Sequence, residues 1–155
     1  MPFYNRSMAE DQNRTSGRIL GLDVGARRIG LAISDPLGLT AQGLTTLHRR
    51  NRRFDRSELG KVIRAHRVSE IVVGNPLRMS GEAGAQAEKM SAFAAQIEQE
   101  FSLPVYLWDE RLTTAEAHRL LDETGIRDAR RKAVIDKMAA VLILQSFLDA
   151  RAATR

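Results

Sequence analysis

Apolar positions in this chain form short blocks whose spacing changes along its length between the strand period of about two and the helix period of about 3.6. Arg18 to Val24 is almost continuously apolar and predicts a buried strand. Gly25-Ala26-Arg27-Arg28 supplies a turn, and Ile29 to Ser34 a second strand, so the two predict a hairpin. Gly38 to Leu47 predicts a third, weaker strand. After an arginine-rich stretch, Ser57 to Arg67 carries Leu59, Val62 and Ile63 at helical spacing. Glu70 to Gly74 is a short buried strand, stopped by Asn75-Pro76. Gly81 to Phe101 predicts a long helix with Met90, Phe93 and Ile97 on one face, and Val105 to Trp108 a further strand. Thr113-Thr114-Ala115-Glu116 has the form of a capping box, so a helix is expected from there to Gly125. The last helix is expected from about Arg131 to Ala150. Its centre, Met138 to Leu144, is apolar all round and therefore belongs inside the protein. Three early strands, then strands alternating with helices, indicate an α/β fold: a mixed sheet covered by helices.

The length of 155 residues suits one domain, expected over 18–150, with a loose polar tail over 1–17 and a flexible C-terminus over 151–155. The tail carries both acids and bases and lacks the apolar core of a signal peptide. No apolar run approaches the roughly 20 residues needed to cross a bilayer. There is no cysteine, which excludes a disulfide framework, thiolate metal sites and cysteine catalysis, and fits a cytoplasmic location. His48, His66 and His118 are scattered without zinc-ligand spacing.

The net charge of +5 favours a polyanionic partner, although a soluble protein with a basic surface would look the same by charge alone. Distribution changes the picture. Arg49, Arg50, Arg52, Arg53 and Arg56 cluster around Phe54, and Arg127, Arg130, Arg131 and Lys132 form a second basic run. Such clusters suit phosphate contacts, which position a nucleic acid without reading its sequence.

Three acids interrupt apolar segments. Asp23 lies inside the first strand, and the glycines flanking it leave room for a bulky group; a strand-end aspartate bonding the turn is the plainer alternative. Glu110 follows the fifth strand, Val105 to Trp108, beside Asp109. Neighbours on a strand face opposite ways, so one of the pair should face the site. Asp136 heads the apolar stripe Ala139, Ala140, Ile143 and Phe147, or else pairs with Lys132 or Lys137. Together these carboxylates make a hard-oxygen ligand set suited to Mg²⁺ or Mn²⁺. Two such ions about 4 Å apart can activate water for phosphodiester cleavage. Ser34 and Asp35 lack a histidine partner, and the glycines of Gly21 to Gly25 form neither a Walker loop nor a dinucleotide fingerprint.

Four pieces in order carry a resemblance: Gly21-Leu22-Asp23-Val24-Gly25 with Arg28-Ile29-Gly30; Val73 to Gly81; Asp109-Glu110-Arg111-Leu112-Thr113-Thr114; and Ile135-Asp136. On these the chain resembles the YqgF/RuvX family, ribonuclease-H-like proteins described as Holliday-junction resolvases or as nucleases for the small-subunit (16S) ribosomal RNA precursor. The likeness spans about Ile19 to Ala150. It implies a five-stranded mixed sheet with flanking helices, a metal-dependent nuclease using one or, as expected, two Mg²⁺ or Mn²⁺ ions, and catalytic and metal-binding roles for Asp23, Glu110 and Asp136, selecting Glu110 over Asp109. Expected nucleic-acid contacts are Arg27, Arg28, Arg49, Arg50, Arg52, Arg53, Arg78, Arg111, Arg131 and Lys132. Asn75 departs from the family pattern, which often has leucine before the proline.

The leading expectation is therefore cleavage of structured RNA at the 5′ end of the 16S precursor by a cytoplasmic monomer or homodimer. The same chemistry on branched DNA is the close alternative, and a resolvase would need paired active sites. A nucleotide-binding kinase of the actin type needs two lobes, and this length provides one. A non-catalytic ribosome-assembly factor would not need all three acids.

Overall fold

The computed structural model describes residues 17–75, 84–109, 119, 122–123 and 129–154. Its elements are β1 (Arg18–Val24), β2 (Arg28–Ser34), β3 (Ala41–His48), α1 (Arg52–Ala65), β4 (Val68–Asn75), α2 (Ala85–Phe101), β5 (Val105–Asp109) and α3 (Ala129–Ala153). The strands form one five-stranded sheet in the order β3-β2-β1-β4-β5. β1 pairs antiparallel with β2 and parallel with β4, and β5 continues parallel to β4. The sheet is mixed and five-stranded, as expected.

The sheet separates two apolar layers. Leu20, Leu22, Ile29, Leu31 and Val73 meet Leu59 of α1 and Met90, Phe93 and Ile97 of α2 on one side. Ile19, Ala32, Val72 and Tyr106 meet Ala140, Ile143, Leu144 and Phe147 of α3 on the other. β1 is therefore central and covered on both faces, which is why its sequence runs apolar without alternation. Full burial of side chains such as Leu20 and Leu22 stabilises by about 1.5–3 kcal/mol each.

α3 lies unusually close to the sheet, because β1 and β2 present glycines beneath it. A Cβ at Gly30 would overlap the backbone carbonyl of Asp136, and one at Gly21 would press on Leu144 and the Ala140 carbonyl. The helix answers with small residues, Ala139 and Ala140, both fully buried.

Several boundaries differ from the sequence expectation: β3 starts at Ala41 rather than Gly38, α2 at Ala85 rather than Gly81, and β4 extends over Val68–Asn75. α1 begins at Arg52, five residues before Ser57, because Asn51 caps it: its side chain accepts the Phe54 N–H at 2.8 Å. Thus Arg52, Arg53 and Arg56 lie on a helix rather than in a loop. α3 continues past Ala150 to Ala153, held by an ion pair from Arg151 to the buried Glu70 at 2.7 Å. The tail over 1–16 and the capping box with its expected helix start lie outside the described residues, as does His118.

Candidate active site and nucleic-acid surface

Asp23 is the penultimate residue of β1, at the sheet end where the parallel strands β1, β4 and β5 have their C-termini. Ligands of open α/β sheets gather beyond such ends. In the antiparallel ladder Asp23 stands opposite Gly30. Paired residues point to the same face, and Gly30 abuts α3 at Asp136. Asp23 therefore faces α3, and its Cα lies within about 10 Å of the Asp136 backbone, given a cross-strand separation of about 5 Å. Alternation agrees: Ile19 and Gly21 on the same strand also contact α3 residues.

The Asp136 carboxylate accepts a hydrogen bond from Arg28 Nε at 2.6 Å. This partner lies 108 residues away in sequence, on β2 two residues before Gly30, and is neither of the lysines expected as alternative partners. Lys137 instead lays its aliphatic chain over Gly43 of β3. The stripe below Asp136 is as expected, with Ala139, Ala140, Ile143 and Phe147 all buried. Asp23 and Asp136 are thus brought to one end of the sheet, with the Arg28 guanidinium on Asp136.

Tyr106 and Trp108 face α3: their rings contact Phe147, and Trp108 Nε1 donates to Ser146 Oγ at 3.0 Å. This is a packing role for Trp108, not a base-stacking platform. Asp109, one position on, therefore turns to the opposite face of the strand, away from Asp136. Glu110 lies outside the described residues, as do Arg78 and Arg111. Among the described residues no cluster of three or more Asp, Glu, His or Cys that could hold a metal ion forms. Asn75, at the adjoining end of β4, has a buried side-chain oxygen without a hydrogen-bond partner among the described residues.

The basic residues divide into engaged and open ones. Arg49 Nε bonds the buried Asp55 at 3.2 Å, and its Nη1 donates to the Gly25 carbonyl at 2.7 Å. The Asp55 carboxylate also accepts the Arg50 N–H at 3.0 Å, so it ties the loop after β3 to α1 and to the β1–β2 turn. Sequence reading did not single out Asp55. Asn51 followed by an acid in the first helical turn was the signal that could have marked it. Arg131 is engaged with Asp122 at 2.7 Å. Lys132 falls within α3, but its side chain lies outside the described residues. Arg27, Arg52 and Arg53 are exposed. Ser34 and Asp35 both have structural roles. Ser34 Oγ accepts the Ile19 N–H at 2.8 Å, and Asp35 accepts the Leu39 and Thr40 amides of the β2–β3 turn.

Among the described residues no helix is long and apolar enough to cross a membrane.

Comparison with known proteins gives the family and the fold. Residues 17–150 match the family model RuvX, described as "Holliday junction resolvase". A protein of Koribacter versatilis (strain Ellin345) is 51% identical over 146 residues, covering 94% of this chain and 95% of its own. One from Moorella thermoacetica is 52% identical over 132 residues, covering 85% and 94%. Both bear the name "Putative pre-16S rRNA nuclease". Among solved structures, Thermus thermophilus RuvC in complex with Holliday junction substrate superposes with a TM-score of 0.54 at 16% identity, covering 89% of this chain and 97% of that one. Fowlpox virus resolvase with Holliday junction DNA gives 0.51 at 10% identity, covering 86% and 98%. At these identities the likeness speaks to the fold, which is ribonuclease-H-like with helices on both faces of the sheet. Matched from residue 17 to residue 150, and similar to curated relatives along nearly their whole length, the chain belongs to the RuvX family.

Proposed function

We propose that this protein is a metal-dependent nuclease that hydrolyses phosphodiester bonds in RNA, with the 5′ end of the 16S ribosomal RNA precursor as its substrate and the cytoplasm as its place of work. The observation that carries the reading is the seating of α3 on Gly30, which brings Asp136 to the sheet end where Asp23 sits. Arg28 already pairs with Asp136, and a divalent ion held between the two carboxylates would offset the remaining repulsion of like charges brought close together. The names of the curated relatives favour the RNA precursor as substrate.

Asp23, Glu110 and Asp136 are the residues that would hold the cation. Their donor set is entirely hard oxygen, which fits Mg²⁺ or Mn²⁺ and excludes soft-metal chemistry. The alternation that turns Asp109 away from α3 favours Glu110 as the third carboxylate. Divalent ions bound there would supply an acidified water and charge stabilisation at the leaving oxygen. The chain's own contribution is positional. Arg28 fixes the Asp136 carboxylate through the 2.6 Å bond, which narrows its rotamer choice before substrate arrives. The arginines around the β1–β2 turn and the start of α1 would hold the phosphates on either side of the scissile bond, a role independent of base sequence.

The family model's description favours a second substrate, the four-way DNA junction. A cleavage assay of the full chain with Mg²⁺ or Mn²⁺, run on 16S precursor RNA and on a synthetic four-way junction, tests both. Site-specific cleavage of the RNA supports the proposal, and symmetrical cleavage of the junction alone would replace it with the resolvase reading. RNA binding with no cleavage of either would leave a non-catalytic assembly factor.

A further inference from the structure

Beside the turn that follows Asp23 the basic surface becomes a cavity of about 630 Å³, bounded by the β1–β2 turn, the loop after β3, α1 and α2. Its lining includes Arg27, Arg28, Arg49, Arg50, Arg52 and Arg56, against one carboxylate among the described residues, Asp55. Arg28 is engaged with Asp136 and Arg49 with Asp55. The other four form no ion pair among the described residues, so the cavity keeps a surplus of positive charge.

Arg56 shows what that surplus is built to receive. Its guanidinium lies 5.1 Å from the Phe93 ring centre, and Nη2 donates to Gln96 Oε1 at 2.9 Å. Nη1 is buried with no hydrogen-bond partner among the described residues. A buried donor left unfilled is unfavourable, more so on a charged group, and arginine cannot escape by losing its proton. Burial above all, then the neighbouring Arg52 charge, pull its pKa below the ordinary arginine value, with Glu100 opposing. An anion entering the cavity relieves both effects at once.

Two further features match a phosphate on a flexible strand. α1 starts at the cavity, and the Asn51 side chain accepts the Phe54 N–H and its carbonyl the Asp55 N–H, so the amides of Arg52 and Arg53 have no intrahelical partner. The Arg50 guanidinium stacks on the Phe54 ring at 4.5 Å, which makes a flat cationic platform of the kind on which unpaired bases stack. A duplex is too broad to enter a cavity of this size, whereas one strand can lay a phosphate into it.

We propose that this cavity is a phosphate subsite for a single-stranded segment of the nucleic-acid substrate, with Arg56 Nη1 and Arg52 as its main donors. It lies on the α1–α2 side of the sheet, across the β1–β2 turn from Asp23 and Asp136, and so holds a stretch flanking the cleaved bond. Only the identity of the strand rests on the nuclease reading above; the phosphate site stands without it.

The test is fluorescence anisotropy on the full chain in buffer with chelator, so that metal and cleavage play no part. The probes are a ten-nucleotide single-stranded RNA, with and without a 5′-phosphate, and an RNA duplex of the same sequence. Arg52→Gln alters an exposed position and should fold normally; Arg56→Met keeps the stem over Phe93 and removes the charge. Each variant should bind the single strand about tenfold more weakly and lower its salt slope by about one. Duplex affinity should change less than twofold, and the two single-stranded probes should bind alike. Equal losses on single strand and duplex, or unchanged single-strand affinity, would overturn the proposal, and dependence on the 5′-phosphate would overturn its assignment to the interior of a strand. A chain that proves inactive as a nuclease would still give the expected result. An active nuclease with unchanged single-strand affinity would refute the subsite alone.

Discussion

Replacing Gly30 with alanine adds one methyl group and should separate the two carboxylates that define the site. The new Cβ would overlap the Asp136 carbonyl, its carbonyl carbon and the Lys137 nitrogen. These are backbone atoms, so no rotamer change relieves the contact. α3 must retreat by about 1 Å or more before ordinary van der Waals separation is restored. Overpacking of this kind costs about 1–3 kcal/mol, offset in part by the roughly 0.4–1 kcal/mol gained from a less flexible unfolded chain. The net loss is therefore up to about 2.6 kcal/mol, and at about 2–4 °C per kcal/mol for a domain of this size a fall in Tm of up to about 10 °C is expected by calorimetry. Activity should fall further than stability, since a displacement of about 1 Å can cost on the order of a hundredfold in rate. Gly43→Ala is the control. Its Cβ would meet only the Lys137 side chain at 2.8 Å and beyond, which can swing aside. If Gly30→Ala melts with Gly43→Ala and cleaves as well as the parent, the close seating of α3 does not organise the site.

Other contacts give further expectations. Glu70→Gln leaves Arg151 charged and nearly buried, with side-chain exposures of 12% and 5% for Arg151 and Glu70. It should cost about 3–5 kcal/mol in denaturant unfolding, and a loss below about 1 kcal/mol would contradict a structural role for the last turn of α3. Asp55→Asn frees Arg49 and loosens the loop after β3; stability should fall by about 1–3 kcal/mol, and RNA binding should weaken with it, whereas unchanged binding would detach the loop from the interface. Asp35 is half-buried, and its pKa is lowered from 3.8, first by the Thr40 amide and then by Leu39, with burial opposing them. A depressed carboxylate favours folding above its unfolded pKa and loses that contribution as pH falls through the folded value. An NMR titration should therefore place the Asp35 midpoint below 3.8, and a midpoint at or above it would refute the turn geometry.

Much of the sheet was legible because its signals are local. β1 runs from Arg18 to Val24 as read from its apolar block, and the Gly25 turn gives the expected hairpin. The apolar run from Met138 to Leu144 is buried at Ala139, Ala140, Ile143 and Leu144, whereas Met138, Val141 and Leu142 on its other side stay partly exposed, so the run was only half legible as an interior helix. The start of α1 was missed because the arginines around Asn51 read as a charged loop, although the asparagine cap itself was visible. Arg28 as the partner of Asp136 was not legible in the residues around either one, since the pair closes only when α3 seats on β2. Glycines 21 and 30 read as space for a ligand or as family pattern; in the fold they admit a helix, and the alignment of two acids follows from that packing. Arg49, counted with the phosphate contacts, is held instead by Asp55 and Gly25.

Asp136→Asn tests the central claim most directly. The substitution keeps size and polarity and removes the charge that a divalent ion requires. The ion pair with Arg28 is partly exposed, so its loss should change stability by no more than about 1 kcal/mol. Cleavage of 16S precursor RNA in Mg²⁺ and in Mn²⁺, measured beside RNA affinity and Tm, should then show cleavage abolished with affinity and melting nearly unchanged. Cleavage at the parent rate by a folded Asp136→Asn protein would contradict the account.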